Sequence, residues 1–159
     1  MANIIYLKLN GKNQGLISKG CSTIASIGNK FQEKHKDEIL VYSMSLNLSR
    51  NQNVSFNPID IKKPIDKSSP LLAQCLTNNE KINCEFYFYR TSINGGLELY
   101  YKIKLTNAEI VNLTCFYPSS ETHNEFQPQE EISIKYESIT WEHIIAGTSS
   151  YSLWEDRVY

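Results

Sequence analysis

Alternation of apolar and polar residues with a period of two is the feature that most constrains the fold of this chain. Such alternation is typical of β-strands. A strongly apolar run at 84–90 (CEFYFYR) is followed by Asn94-Gly95-Gly96 and by a second alternating run at 97–105. Asn-Gly tolerates the positive φ angles of a type I′ turn, so the two runs predict a β-hairpin. The first run is apolar on both faces and is expected to be covered on both sides.

The same alternation predicts further strands. One lies near the N-terminus, and a longer one has a single apolar face made of Leu40, Tyr42, Met44, Leu46 and Leu48. The parity of the apolar positions changes near Asn107 and again near Glu137-Ser138, which indicates a bulge at each place. Long, bulged and twisted strands allow a sheet to close on itself. The pattern therefore predicts a bulged antiparallel β-barrel.

One helix is predicted after residue 68. Ser69 is a suitable N-cap, Pro70 suits the first helical position, and Asn78-Asn79 ends the helix. Its apolar stripe consists of Leu71, Leu72, Cys75 and Leu76. The predicted fold class is thus mainly β: a bulged antiparallel barrel with one short α-helix and long inter-strand loops. The length of 159 residues indicates one domain, 1–159.

Two segments, 20–37 and 49–67, fit neither pattern. The first is polar. The second contains two prolines and five scattered apolar residues, namely Val54, Phe56, Ile59, Ile61 and Ile65. A long irregular segment in a compact domain is usually functional or disordered, and these apolar residues argue against disorder. Two interpretations stay open: the segment packs on its own barrel, or it is an arm that packs on a neighbouring subunit.

The charge balance and the N-terminal segment limit the partners and the location. The chain has 16 basic and 17 acidic residues and a net charge of -1. A nucleic-acid surface requires clustered Lys and Arg, so we expect no nucleic-acid partner. We see no signal-peptide pattern at the N-terminus and no membrane-spanning run, so folding in the cytoplasm without membrane insertion is expected. In that reducing compartment we expect buried thiols at Cys21, Cys75, Cys84 and Cys115.

A search for catalytic and metal-binding patterns gives no candidate site. The histidines have no HxH, HExxH or Cys partner nearby, and the chain has no GxSxG or GxxxxGK motif. We expect His35 on a solvated loop, His123 in a polar stretch, and His143 on an apolar face after Trp141. We therefore expect no enzyme, no metal and no cofactor. Two rival hypotheses are a monomeric β-barrel that binds a small apolar ligand and an enzyme centred on His143.

Four parts of the chain together resemble a known protein family. They are the block 62–72 (KKPIDKSSPLL), the block 101–108 (YKIKLTNA), the pair 131–136 with 139–141 (EISIKY and ITW), and the tail 147–156. Together they resemble the haemolysin-coregulated protein (Hcp) family, the inner-tube subunit of the bacterial type VI secretion system. The resemblance covers nearly the whole chain in order, and the block 62–72 is its most specific part.

The resemblance implies a ring of six subunits with a wide central channel, and rings that stack into a tube. It implies that a contracting sheath propels the tube out of the cell, with a spike at the tip, so that the subunit leaves the cytoplasm without a signal peptide. Some family members carry small effector proteins in the lumen. The implied partners are further copies of the chain, the sheath, baseplate and spike proteins, and small effectors.

The resemblance also gives a role to the segment after Ser49. In the family, the long loop between early strands packs on the adjacent subunit, and it corresponds to about 49–61 of this chain. The implied interface residues are Asn53, Val54, Ser55, Phe56, Asn57 and Ile59. Residues 54–57 differ from the histidine or glycine that the family often has there, and the cysteines lie outside its pattern. A Phe56→Asp change is expected to disrupt ring formation and leave folding intact.

Overall fold

The computed structural model describes residues 3–122 and 127–155, and most of them lie in β-strands. Two α-helices are present, α1 (Ile24–Ile27) and α2 (Ser69–Thr77), with two 3₁₀ turns at Gly28–Lys30 and Glu33–His35. The strands in these ranges are β1 (Asn3–Gly11), β2 (Gly15–Leu16), β3 (Ile39–Val41), β4 (Ser43–Ser45), β5 (Leu48–Asn51), β6 (Asn53–Phe56), β7 (Ile59–Pro64), β8 (Ile82–Thr91), β9 (Leu97–Phe116), β10 (Gln129–Lys135), β11 (Ser138–His143) and β12 (Thr148–Leu153). The predicted mainly β class is confirmed, although residues 3–122 and 127–155 contain two α-helices rather than the predicted one. No helix within the described ranges is long and apolar enough to cross a membrane.

The β8–β9 hairpin is the centre of the fold. β9 is 20 residues long, and it pairs with β8 along one edge and with β10 and β11 along the other. The predicted hairpin is confirmed, but its turn is not type I′. The Gly95 amide donates to the Ser92 carbonyl at 3.0 Å, and Gly95 has a φ of 89°. Ile93 and Asn94 therefore occupy the central turn positions, and Gly95 supplies the left-handed residue of a longer loop.

The segment 39–45 pairs with two distant strands of the sheet. β3 pairs with β1, and β4 pairs with β7. These two strands are the first and the last of the order β1-β8-β9-β10-β7. This segment therefore joins the two sides of the predicted barrel.

The prediction of one strand with a single apolar face from Leu40 to Leu48 is wrong. Val41 faces the main core, whereas Leu40 packs in a smaller outer cluster. After a bend at Tyr42, Met44 packs against the main core. A shift of one residue reverses the face to which every side chain of a strand points. The parity changes at Tyr42 because the chain passes there from β1 to β7.

The two predicted parity switches coincide with irregularities in the ladder. Asn107 has a φ of 52° and lies where the β8–β9 register shifts. Its amide donates to the side-chain oxygen of Asn83 at 3.0 Å. At the second switch, β10 pairs Lys135 with Glu109 and β11 pairs Ser138 with Thr106, so the regular pairing along β9 is interrupted between Lys135 and Ser138. Such irregularities bend long strands, as barrel closure requires.

Side chains fill the interior of the sheet. The cluster takes buried residues from β1, β3, β7 to β11 and α2, among them Leu7, Leu9, Ile39, Ile61, Leu72, Phe86, Ile103, Leu105, Ile132, Ile134 and Ile139. A small barrel whose inward positions are filled in this way has a packed core. This packing argues against the rival hypothesis of a ligand-binding barrel.

A buried network of ion pairs joins β7, β10 and the start of α2. Lys63 Nζ lies 2.8 Å from Glu130 Oε1 and 3.0 Å from Asp66 Oδ1, and all three side chains are at most 1% exposed. The hydroxyl of Ser69 donates to the same Glu130 oxygen. Buried charges are tolerated only when they are paired and hydrogen-bonded in this way. The most specific block of the sequence, 62–72, therefore fixes α2 against the sheet.

Helix α2 differs from the prediction by one residue at its start. Ser68 rather than Ser69 is the N-cap, and Pro70 lies in the first turn. Asn79, with a φ of 49°, follows the end of the helix as predicted. Leu72 and Cys75 are buried in the main core, so the predicted apolar stripe packs against the sheet.

The four cysteines are free thiols with different exposure. Cys21, Cys75 and Cys84 are buried as predicted, whereas Cys115 is exposed. Burial raises the pKa of Cys21 to about 12 and that of Cys75 to about 11, and it also raises the pKa of Cys84. Since the thiolate is the reactive form, these three thiols are expected to be inert in the folded protein.

A thiol titration checks this difference. We expect a disulfide reagent to modify Cys115 first in the native protein and to reach all four thiols only after unfolding. Cys115→Ser should remove the fast phase. Native reaction of any of the other three thiols at the rate of Cys115 would contradict the described burial.

Candidate subunit interface

The segment from Leu48 to Phe56 is a β-hairpin. β5 and β6 pair antiparallel, and Gln52 at the tip has a φ of 69°. The prediction of an irregular segment over 49–67 is therefore wrong, since this range also contains the core strand β7. β5 has no buried residue, so its sequence lacks the apolar alternation that marks a strand.

The six predicted interface residues differ in exposure and in their contacts with the core. Four of them are partly or fully exposed: Asn53, Val54, Ser55 and Asn57. Phe56 is partly buried and packs against the core of its own chain. Ile59 is 0% exposed in β7. An interface role for Ile59 is therefore excluded, because its side chain fills the core of its own subunit.

The β5–β6 hairpin stands apart from the main sheet. It forms a separate two-stranded sheet that pairs with no other strand of the described chain. All four residues of β5 are exposed. Between Asn47 and Asn57 the only charged residue is Arg50. A two-stranded hairpin alone is at best marginally stable in water, so this one depends on contacts with another surface.

Three aromatic rings attach the base of the hairpin to the barrel. Phe56 stacks on Trp154 with 5.7 Å between ring centroids, and the Tyr136 ring lies edge-on to both. The Tyr136 hydroxyl donates to the Asn57 carbonyl at 3.3 Å. Burial raises the pKa of Tyr136 to about 12, so this hydroxyl keeps its proton at neutral pH. We call Phe56, Tyr136 and Trp154 the aromatic clasp.

Several strands in the described part of the chain have an edge with no strand partner, and two of these edges carry apolar side chains. β12 pairs with β11 alone, and residues 109–116 of β9 pair with β10 alone. Exposed apolar side chains lie at these edges or next to them: Val111, Phe116, Tyr117 and Tyr151. Open edges offer unpaired backbone groups to another chain.

The histidines do not form a catalytic centre in the described residues. His143 Nδ1 accepts a hydrogen bond from the Ala146 amide at 3.0 Å, and its ring lies 6.0 Å from the Tyr100 ring and 6.1 Å from the Tyr101 ring. The contacts described for His143 include no carboxylate. A general base is usually oriented by a hydrogen-bonded acidic partner, so this geometry does not support the His143 hypothesis.

His35 lies in a different setting from the predicted solvated loop. Its ring stacks on Tyr6 with 4.1 Å between centroids, and its Nδ1 lies 3.0 Å from Glu38 Oε2. His123 lies outside the described residues. Within the described ranges, no group of three or more His, Cys, Asp or Glu side chains is placed to hold a metal ion.

The aromatic clasp and the Lys63 network were not predicted from the sequence. Trp154 lies in the tail that carries part of the family resemblance, and Lys63 lies in its most specific block. No local pattern indicates their partners, because Phe56 and Trp154 are far apart in the chain and Glu130 is 67 residues from Lys63.

Comparison with known proteins gives one consistent family. A family model described as "Type VI secretion system effector, Hcp" matches residues 6–143. The "Major exported protein" of Pseudomonas aeruginosa is 33% identical over 170 aligned residues, which cover 99% of each chain. The "Uncharacterized protein YhhZ" of Escherichia coli is 40% identical over 93% of this chain. The chain spans only 37% of the length of YhhZ.

Solved structures give the same result. A protein described as "Hcp protein" matches with a TM-score of 0.92 and 32% identity, over 98% of this chain and 99% of the other. The secreted protein Hcp3 from Pseudomonas aeruginosa matches with a TM-score of 0.88 and 35% identity, over 98% of this chain and 100% of the other. The two similarities extend over almost the whole chain.

Proposed function

The chain belongs to the Hcp family of type VI secretion proteins, and on that premise we propose that it is the subunit of the secretion tube. Six copies close into a ring, and rings stack into a tube with a central channel. Residues 1–159 act as a single tube domain. The Hcp family consists of structural tube proteins rather than enzymes, and the chain works through assembly rather than catalysis.

The β5–β6 hairpin is the observation that carries this proposal. The hairpin has an exposed strand, an almost uncharged sequence and no strand partner in its own described chain. A neighbouring subunit supplies the surface on which it packs. The contact consists of Asn53, Val54, Ser55 and Asn57, while Phe56 holds the base of the hairpin and Ile59 takes no part.

The open strand edges and the charge support assembly into a ring. A ring uses head-to-tail contacts, in which two different surfaces of the subunit meet. The hairpin and the open edges of β9 and β12 are different surfaces of this kind. The net charge of -1 gives little repulsion between copies.

The proposed partners and location follow from the family. The partners are the sheath, baseplate and spike proteins of the type VI apparatus, and small effector proteins in the lumen. The subunit assembles in the cytoplasm and then leaves the cell by type VI secretion. The name of the relative from Pseudomonas aeruginosa, "Major exported protein", supports this route.

Size-exclusion chromatography with light scattering tests the proposal. We expect the purified chain at micromolar concentration to elute with the mass of six subunits. A stable monomer over the same range, with or without a small apolar ligand retained through purification, would remove the tube proposal.

A further inference from the structure

We propose that Trp154 is a positioning residue for assembly: it holds the β5–β6 hairpin in the orientation in which a neighbouring subunit binds it. This inference rests on the proposed tube function and adds a residue from the far end of the chain to it. Trp154 itself need not touch the neighbour, because it acts through Phe56.

Within the aromatic clasp, Trp154 is held in place by contacts with the body of the fold. Its amide donates to the Glu137 carbonyl at 2.8 Å, and Lys135 Nζ lies 5.3 Å from its ring centroid. The ring packs edge-on against Tyr136 with 4.9 Å between centroids, and Tyr136 is 2% exposed in the core. None of these contacts involves the hairpin, so Trp154 is held in place independently of it.

The base of the hairpin is joined to the body of the fold through the same clasp. Asn57 donates from its amide and its side chain to the Asn47 carbonyl, at 3.3 and 3.4 Å. These two bonds close the hairpin on itself and do not join it to the sheet. The clasp joins this base to the body of the fold through the stack of Phe56 on Trp154, the edge contact of Phe56 with Tyr136, and the hydrogen bond of Tyr136 to the Asn57 carbonyl.

The consequence is that the orientation of the hairpin depends on the Trp154 ring. Without the ring, Phe56 loses its stacked partner and the hairpin samples more orientations. A neighbour then binds only the fraction of molecules in which the hairpin has the competent orientation. The apparent association constant is reduced to that fraction of its original value. Stacked aromatic pairs of this kind typically account for about a tenfold change in an equilibrium constant.

Trp154→Ala tests the inference with two measurements. We expect backbone amides of β5 and β6 to exchange with deuterium about tenfold faster, while those of β8 and β9 stay unchanged. We also expect the concentration needed for ring formation to rise about tenfold or more. Trp154→Phe, which keeps an aromatic ring, should restore both values to within about threefold.

Trp141→Ala is the matched control. Trp141 packs against the main core from β11 and is not among the described ring contacts of Phe56. This control is expected to lower global stability without a selective change in the exchange of the hairpin. If Trp154→Ala does not fold, Phe56→Leu, which removes the same stack from the other side, is measured in its place.

The outcomes separate this inference from the tube proposal. If the unmodified chain is a monomer, the tube proposal fails, and the role assigned to Trp154 in assembly fails with it. If the unmodified chain forms rings and Trp154→Ala forms them at the same concentration, the positioning role is overturned and the tube proposal stands. Equal acceleration of exchange in the hairpin and in β8–β9 would also overturn it, because Trp154 would then act on global stability alone.

Discussion

A Val54→Asp variant is expected to remain a folded monomer under conditions in which the unmodified chain forms rings. Val54 is partly exposed in β6 and lies outside the main core. A carboxylate at this position lies cross-strand from Arg50, so burying it in the contact costs only part of the about 3–5 kcal/mol that an unpaired buried charge costs. A cost of about 1.4 kcal/mol is enough to lower the association constant about tenfold. The folded subunit should lose no more than about 0.5 kcal/mol, as is usual for surface substitutions.

Asn94→Asp is the matched control for this variant. It adds the same charge at the exposed tip of a different hairpin, β8–β9. Light scattering should give the mass of the ring for Asn94→Asp and of a monomer for Val54→Asp, with matching circular dichroism spectra. If Val54→Asp formed rings at the same concentration as the unmodified chain, the hairpin would not be part of the interface.

Val54 is a sharper test than Phe56, the residue indicated by the sequence. Phe56 stacks on Trp154 and packs against the core of its own chain. Phe56→Asp would therefore disturb the subunit and the contact between subunits together. The structure thus separates the residue that holds the hairpin from the residues that face outward.

Lys63→Met is expected to cause a large loss of stability. The substitution removes the cation between Glu130 and Asp66, whose side chains are at most 1% exposed. Breaking a buried ion pair from one side typically costs about 3–5 kcal/mol, because the remaining charge has no compensation. Denaturant unfolding followed by circular dichroism should give this difference with an unchanged slope.

Two further variants make the stability measurement specific. Lys62→Met changes the neighbouring, exposed lysine of β7 and should alter stability by no more than about 0.5 kcal/mol. Glu130→Gln added to Lys63→Met should recover part of the loss, since it removes one uncompensated charge. A loss below about 1 kcal/mol for Lys63→Met would contradict a structural role for the network.

The sequence predicts the parts of the fold in which local pattern and burial agree. The β8–β9 hairpin and helix α2 have one buried face each, and their apolar periodicity is visible. The apolar periodicity of β7 is interrupted in the sequence, because Lys63 occupies one of its inward positions. The partner of Lys63, Glu130, lies 67 residues away. The bend at Tyr42 was missed because it depends on the pairing of β3 and β4 with two different strands.

The candidate site was predictable only in part. The family resemblance located the hairpin, and composition alone left its role open. Ile59 was included in error, since a sequence segment does not show which of its residues turn inward. The aromatic clasp brings together Phe56, Tyr136 and Trp154, which meet only through the folded topology.

Negative-stain electron microscopy of the purified chain tests the central claim most directly. The tube function predicts rings of six subunits with an open centre, and short stacks of such rings at higher concentration. A field of small compact particles with no rings, at concentrations where the protein is folded and soluble, would contradict it.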